Sequence, residues 1–239
     1  MPGHLFYMKK KTFIAIAVAV LLPLFSYLVV NHLSKTAVIM PKRYFYDTVV
    51  AVTNEGKTTM DTVWHKVRPM VLTDQFGRNV TLNDSALKGK ILVVDFFFTS
   101  CPTICPTLTR NMKRIQDAFK TDSVLRYVSI TVDPVRDSAA RLKAYGDKFN
   151  INHDTWWMLT GPKDSVYHLV LKEFKANIAS TDVDTNFIHT DKFFLLDKDR
   201  VVRGWYNGMD SAHLDKLIND AVLLMLERDK KKKRNLFRK

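Results

Sequence analysis

The stretch ILVVDFFFTSCPTICP, residues 91–106, decides the fold of this chain. Its first eight residues are apolar except for Asp95, and such a run is long enough for a strand buried on both faces but too short to cross a membrane. The run leads into a turn that holds Cys101 and Cys105, and the chain contains no other cysteine. The two cysteines therefore act together as a pair or a metal clip, or have no functional role.

Each cysteine precedes a proline, and a residue before proline is disfavoured in the α-helical region of backbone space. We therefore expect neither cysteine to lie inside a helix. Pro106 suits the first position of a helix, where a missing N–H costs no hydrogen bond, and this would place Cys105 at the N-cap. The positive end of the helix dipole is expected to lower the pKa of the Cys105 thiol and to favour the thiolate, which attacks disulfides and binds metals.

Three segments further along the chain carry distinctive patterns: SITVDPVRDS at residues 129–138, WWMLTG at residues 156–161 and FIHTDKFFLLDKD at residues 187–199. Together with FFFTSCPTICP, they resemble the Sco/SenC family over roughly residues 70–225. The resemblance implies a membrane-tethered, thioredoxin-like protein that delivers copper to the CuA centre of cytochrome c oxidase. This combination of four segments is far more specific than the spacing of the two cysteines alone.

The resemblance implies that Cys101, Cys105 and His189 are copper ligands. Two thiolates and one imidazole form a soft site that suits Cu(I) and can also hold Cu(II), and a site with three ligands leaves the copper accessible for transfer. The implied partner is a CuA-bearing subunit of cytochrome c oxidase or another copper acceptor, and no nucleic acid partner is expected outside the cytoplasm. Judged by position alone, a single histidine such as His189 would more often have a structural role.

A thiol-disulfide oxidoreductase is the alternative function. Cys101, expected to be the more exposed thiol, would attack a partner's disulfide, and Cys105 would resolve the mixed disulfide. Thioredoxins place a cis-proline opposite their cysteines, whereas this chain has no proline after Pro162, which argues against a general disulfide reductase. A peroxidase ranks last, because a peroxidatic cysteine normally lacks a partner four residues away.

Two aspartates near these motifs have open roles. Asp95 lies six residues before Cys101, as does the buried acid of thioredoxins, and its pKa should be raised if it is buried in so apolar a strand. The alternative is that Asp95 lies at an edge or hydrogen-bonds a loop. Asp133 could orient a ligand or cap a helix, and we expect it to cap a helix.

An uncharged stretch of 18 residues, residues 13–30, follows three lysines at residues 9–11. It is at the lower limit for a transmembrane helix and longer than the usual apolar region of a signal peptide. We predict an uncleaved anchor, with a cleaved signal peptide as the alternative. The lysines are expected to hold residues 1–12 in the cytoplasm, and the absence of an Arg- and Ser-rich leader favours a bacterial inner membrane with the domain in the periplasm.

The whole chain has 239 residues and is 46% apolar. It can therefore bury one full core and still carry appendages. We predict an extracytoplasmic spacer with weak strand signals over residues 31–66 and a Sco domain over residues 67–227. Hydrophobic periodicity in the domain gives a hairpin near residues 71–82 and then the order β-α-β-α-β-α-ββ-α. This predicts an α/β, thioredoxin-like fold with extra N-terminal β-strands.

The C-terminal residues 228–239 contain eight Lys or Arg residues and one acidic residue. They account for +7 of the chain's formal net charge of +13, so much of the high pI is local. A basic tail of this kind is usually a solvated end of the chain. It could also contact anionic lipid headgroups.

Overall fold

The structure is a computed structural model, and it describes residues 10–35, 39–54, 57–176 and 190–236. It divides the chain into two compact units, Met1–Ile39 and Met40–Lys239. Helix α1, Lys10–Lys35, belongs to the first unit and includes the whole uncharged stretch that the sequence predicts as an anchor. Within the described part of the chain, no helix combines the length and the hydrophobicity that a membrane span requires.

The described part of the second unit contains nine strands, four α-helices and one turn of π-helix. In chain order these are β1 (Tyr46–Asn54), β2 (Lys57–Trp64), β3 (Leu72–Asp74), β4 (Asn79–Val80), β5 (Ile91–Phe97), α2 (Cys105–Ala118), β6 (Leu125–Thr131), α3 (Ala139–Lys148), β7 (Trp156–Thr160), α4 (Lys163–His168), the π-helical turn (Leu169–Glu173), β8 (Lys192–Leu196), β9 (Val202–Asn207) and α5 (Ser211–Leu236).

Seven strands form one mixed sheet in the order β4-β3-β7-β6-β5-β8-β9. Strands β5, β6 and β7 are parallel, β8 is antiparallel to β5, and β9 is antiparallel to β8. The carboxyl ends of β5 and β6, the start of β8 and the end of β9 therefore meet at one edge of the sheet, which we call the cysteine edge. The fold is the predicted α/β thioredoxin-like fold, with β3 and β4 as the additional strands of the sheet.

Strand β5 is buried over its whole length, because it contributes side chains to a core on each face of the sheet. Ile91, Val93 and Phe97 pack on one face with side chains of α2, α3 and α5. The alternate residues pack on the other face with side chains from β3, β7, α4 and the π-helical turn. The continuous apolar run in the sequence follows from this double burial, since neither face of the strand meets water.

The predicted spacer, residues 31–66, contains the end of α1 and a long antiparallel hairpin made of β1 and β2. The hairpin forms its own two-stranded sheet, and its base is held to the domain by Phe45, whose ring stacks on Trp205 with centroids 5.7 Å apart. Residues 55 and 56, which connect the two strands, lie outside the described residues. The compact unit begins at Met40, upstream of residue 67, where the sequence predicts the domain to start.

Helix α5 packs on the first core through Leu214, Leu217, Ala221 and Leu224, the helical spacing that the sequence predicts. Its backbone continues as helix to Leu236, so most of the predicted basic tail extends this helix. The last residues, 237–239, lie outside the described part of the chain.

Candidate functional site

The two cysteines lie where β5 passes into α2 at the cysteine edge. Cys101 belongs to the connecting loop and donates its N–H to the carbonyl of Phe98 at 3.2 Å. Cys105 is the first residue of α2, and Ile104 is its N-cap. The prediction that Cys105 caps the helix from outside is therefore wrong by one residue. The helix begins one residue earlier because the carbonyl of Ile104 accepts the N–H of Leu108 at 3.0 Å.

Both thiols are free and buried, but their surroundings differ. Cys101 retains 8% of its surface exposed, whereas Cys105 retains 1%. The backbone N–H of Cys105 points at the sulfur of Cys101 with an N–Sγ distance of 3.5 Å, and the Thr103 hydroxyl lies 3.7 Å from the same sulfur. The positive end of α2 therefore acts on Cys101, four residues before the thiol that the sequence assigns to it.

The pKa values of the two thiols move in opposite directions. Burial by itself would raise the pKa of Cys101, but hydrogen bonds from Cys105 and Thr103 together lower it below its ordinary value. The pKa of Cys105 is raised strongly, first by burial and then by its side-chain hydrogen bond to Cys101. The prediction of a lowered pKa at Cys105 is wrong, because burial outweighs the helix dipole there.

The cysteine loop is held by Asp137, a residue whose role the sequence did not predict. Its fully buried carboxylate accepts the N–H of Thr99 at 3.0 Å, the Thr99 hydroxyl at 2.5 Å and the Thr131 hydroxyl at 2.5 Å. Asp137 thus ties the loop after β5 to the loop after β6. The available signal was its place in the SITVDPVRDS motif at the end of a predicted strand.

Asp133, the aspartate of that motif that the sequence singled out, has a different role from the predicted helix cap. Its carboxylate pairs with Arg136 in the same turn. The N-cap of α3 is Ser138, whose hydroxyl accepts the N–H of Arg141 at 3.3 Å. The prediction that Asp133 caps a helix is therefore wrong, because helix α3 begins only after Ser138, five residues beyond Asp133.

Asp95 is buried in the middle of β5, beside Ser129 of β6. Burial raises the pKa of its carboxyl group to about 7, and a hydrogen bond with Ser129 opposes part of this rise. In the described part of the structure, one oxygen of this carboxyl group has no hydrogen-bond partner. Of the two alternatives that the sequence left open for Asp95, the structure shows the buried one, and the charge of Asp95 would raise the pKa of Cys105 further.

His189, the third predicted ligand, lies outside the described residues. The next residue, Thr190, is buried and precedes β8, whose start lies at the cysteine edge. The carbonyl of Asp191 accepts the N–H of Gly208 at 2.6 Å, so the chain directly after His189 is held to the end of β9. Among the residues that the structure describes, no three His, Cys, Asp or Glu side chains form a group that could hold a metal ion.

The four histidines with described side chains each have a contact elsewhere. His65 lies 2.8 Å from Asp47, His153 lies 3.0 Å from Gln75, His168 lies 3.9 Å from Glu173, and His213 accepts the N–H of Asn207 at 3.0 Å. In His65, His153 and His213, the contact is a hydrogen bond that occupies one ring nitrogen. The assignment of His189 as the third ligand stays a prediction from the resemblance.

A family model described as SCO1/SenC matches residues 58–221. The SCO1 protein homolog of Bacillus subtilis (strain 168) is 34% identical over 167 residues, which cover 69% of this chain and 86% of that protein. The chain is therefore similar to the relative over most of the relative's length.

Two solved structures extend the comparison. BsSco, described as a member of the Sco family of cytochrome c oxidase assembly proteins with a disulfide switch, is 32% identical, with a TM-score of 0.57 over 67% of this chain and 94% of that one. Bradyrhizobium japonicum ScoI, solved with copper bound, is 26% identical, with a TM-score of 0.51 over 64% of this chain and 97% of that one. This chain therefore matches each of the two solved chains over almost its whole length.

Proposed function

Because the chain belongs to the SCO1/SenC family, we propose that it binds copper and delivers it to a cytochrome c oxidase during assembly. The observation that carries the proposal is the adjacent pair Cys101 and Cys105 at the cysteine edge, where the backbone N–H of Cys105 points at the sulfur of Cys101. Bradyrhizobium japonicum ScoI was solved with copper bound, and BsSco belongs to a family of oxidase assembly proteins, which supports the same cargo and process for this chain.

The donor set of the proposed site is Cys101, Cys105 and His189. Thiolates are soft ligands that favour Cu(I), and metal binding requires both thiols to lose their protons. Cys101 has the lowered pKa and supplies the first thiolate, whereas Cys105 releases its proton only when copper replaces it. Because copper binding releases the thiol protons, copper affinity is expected to rise with pH.

The proposed function includes a location and an acceptor. Helix α1 contains the uncharged residues 13–30, and this supports an anchor in a bacterial inner membrane that leaves the domain in the periplasm. The proposed acceptor is a CuA-bearing subunit of the oxidase or another protein that takes copper from the cysteine edge.

Copper titration of the Met40–Lys239 unit with reduced thiols tests the ligand set. We expect the wild-type unit to bind one copper ion, and both His189→Ala and the double variant Cys101→Ser/Cys105→Ser to lose tight binding. His213→Ala is the matched control, because His213 lies at the start of α5 and is not a proposed ligand. If His189→Ala binds copper as tightly as the wild type, the assignment of the third ligand is wrong.

A thiol-disulfide oxidoreductase is the second candidate, and the opposite pKa shifts of the two thiols favour it. A low-pKa thiol attacks a disulfide, and a buried partner of higher pKa resolves the mixed disulfide. Reduction of oxidised glutathione by the same variants separates the two functions. His189→Ala should retain thiol exchange, whereas Cys101→Ser should abolish it. Rapid exchange by a wild-type unit that binds no copper would make this second function the better account.

A further inference from the structure

Helix α5 extends well beyond the core that it helps to form. Its last side chain that the structure describes as buried is Leu224, whereas its backbone remains helical to Leu236. At a rise of 1.5 Å per residue, the helix continues for roughly 18 Å past this point. We call residues 228–239 the basic extension.

The charged positions of the basic extension are distributed all around the helix axis, so its attraction to a surface depends little on how the helix is rotated about this axis. Residues 230–234 are five consecutive Lys or Arg residues, and successive positions of a helix differ by about 100°. These five positions therefore occupy the whole circumference of the helix. Residues 228–235 contain no apolar residue, so this part offers no hydrophobic stripe to a protein groove. Its attraction to a partner is electrostatic and requires a surface of negative charge.

The basic extension leaves the domain beside the segment through which the chain enters it. The guanidinium of buried Arg203 donates to the carbonyl of Pro41 at 2.6 Å and to the carboxylate of Glu227 at 2.9 Å. Glu227 directly precedes the basic extension, and Pro41 lies only six residues after Lys35, the last residue of α1. A segment of six residues spans at most about 20 Å. A membrane that holds α1 is therefore within reach of the basic extension.

We propose that the basic extension binds the anionic phospholipid headgroups of the membrane in which α1 is anchored, an inference that rests on the proposed anchor. Helix α5 starts at the cysteine edge and runs back along the domain, and Arg203 lies near the start of β9, at the opposite edge of the sheet. Lipid bound at the basic extension consequently leaves the cysteine edge directed away from the bilayer, where a copper acceptor can reach it.

Vesicle flotation with the Met40–Lys239 unit tests the inference without a contribution from α1. The vesicles contain either phosphatidylcholine alone or an equal mixture of phosphatidylcholine and phosphatidylglycerol. Each basic residue near an anionic surface raises the partition coefficient about fivefold. We therefore expect the variant with Gln at residues 230–233 to bind the mixed vesicles at least about tenfold more weakly than the wild type.

The matched control replaces four exposed lysines elsewhere with Gln, at Lys66, Lys120, Lys148 and Lys163, so both variants have the same net charge. We expect the control to float with the mixed vesicles as the wild type does. We also expect the wild type to lose this binding in ~0.5 M NaCl, where screening is strong. Equal losses in the two variants, or no flotation of the wild type, would overturn the proposal and leave a solvated end. Copper titration of the same variants separates this outcome from a failure of the proposed copper site.

Discussion

At Cys101, a nearly buried sulfur lies against the first N–H of α2, and hydrogen bonds from Cys105 and Thr103 lower the pKa of this thiol, whereas burial raises the pKa of Cys105. We expect Cys101 in the Cys105→Ser variant to react with iodoacetamide at least about tenfold faster at pH 8 than Cys105 in the Cys101→Ser variant. The serine at position 105 keeps the backbone N–H and can still donate a hydroxyl proton to the Cys101 sulfur. Mass spectrometry of the alkylated proteins gives the rates, and equal rates would contradict the asymmetry of the pair.

Asp95 gives the domain a pH dependence with a defined sign. Its carboxyl group has an ordinary pKa of 3.8, and burial in the folded domain raises this pKa to about 7. The folded state therefore keeps a proton that the unfolded chain releases, so this group makes stability fall as pH rises from about 4 to about 7. Asp95→Asn cannot ionise and should flatten the slope, with a gain on the order of 2–4 kcal/mol at pH 8.

Urea unfolding of the Met40–Lys239 unit between pH 5 and pH 8 measures this effect. Asp117→Asn is the control, because Asp117 is exposed and pairs only at the surface with Lys113, and this variant should keep the wild-type slope. If Asp95→Asn and the wild type show the same dependence on pH, the Asp95 carboxyl group is ionised in the folded domain and the raised pKa is wrong.

At the scale of residues, the sequence identified Asp95, Cys101 and Cys105 as candidate functional residues more reliably than it predicted their burial and pKa values. The burial of Asp95 follows from the apolar residues on both sides of it, although the sequence left an edge position open as the alternative. The shift in the pKa of Cys105 was predicted in the wrong direction. The direction of this shift depends on how deeply α2 packs and on which sulfur accepts the first helical N–H. Both are tertiary properties that local spacing does not contain.

At the scale of elements, the loop after β5 depends on the loop after β6 through Asp137. Asp137→Ala leaves the Thr99 N–H and the two threonine hydroxyls without their acceptor, so we expect a loss of about 2–4 kcal/mol in the free energy of unfolding. Copper affinity should fall as well, because the loop that carries Cys101 is no longer held. Asp137→Asn keeps one acceptor oxygen and should lose less.

Asp133→Ala is the control for this prediction, since Asp133 lies in the same loop but pairs with the half-exposed Arg136. The Asp133 side chain is buried, but its partner Arg136 is half-exposed and remains solvated when Asp133 is removed, so the variant should lose less stability than Asp137→Ala. Urea unfolding and copper titration are measured on all three variants. Similar losses in Asp133→Ala and Asp137→Ala would show that the loop, rather than the buried carboxylate, sets the effect.

Two elements show why prediction weakens away from the core. The β1–β2 hairpin exposes most of its side chains, so its sequence lacks the alternation that a strand with one buried face displays. It was predicted only as a spacer with weak strand signals. The end of α5 was predicted as a solvated end from its charge, but Lys and Arg are good helix formers and the packed part of α5 already supplies the helix nucleus.

At the scale of the whole molecule, the order of elements predicted the thioredoxin-like sheet, because buried strands alternate with amphipathic helices along the chain. Strand order alone then brings the cysteine loop, Asp137 and the start of β8 to one edge, although 91 residues separate Cys101 from Lys192. The assignment of His189 as a copper ligand did not come from periodicity, and the family resemblance implies it instead.

The two compact units should also separate in a membrane assay. In a bacterial host, we expect the full chain to stay with the membrane after alkaline carbonate extraction and the Met40–Lys239 unit to be released. Carbonate removes proteins held only by charge, so binding through the basic extension does not imitate the anchor. Leu21→Lys/Leu22→Lys places two charges in the middle of the uncharged stretch, at a cost of about 5–7 kcal/mol for insertion, and should release the full chain. Leu21→Ala/Leu22→Ala is the control and should remain in the membrane.

The mass of the recovered full chain decides between the anchor and the alternative of a cleaved signal peptide. An anchor leaves residues 13–30 in the mature protein, whereas cleavage removes them and frees the domain from the membrane. A full chain of intact mass that carbonate releases would show that α1 does not hold the domain in a bilayer. In that case the short connection from Lys35 to Pro41 would no longer bring the basic extension near a membrane, and any lipid binding by residues 228–239 would have to recruit the domain by itself.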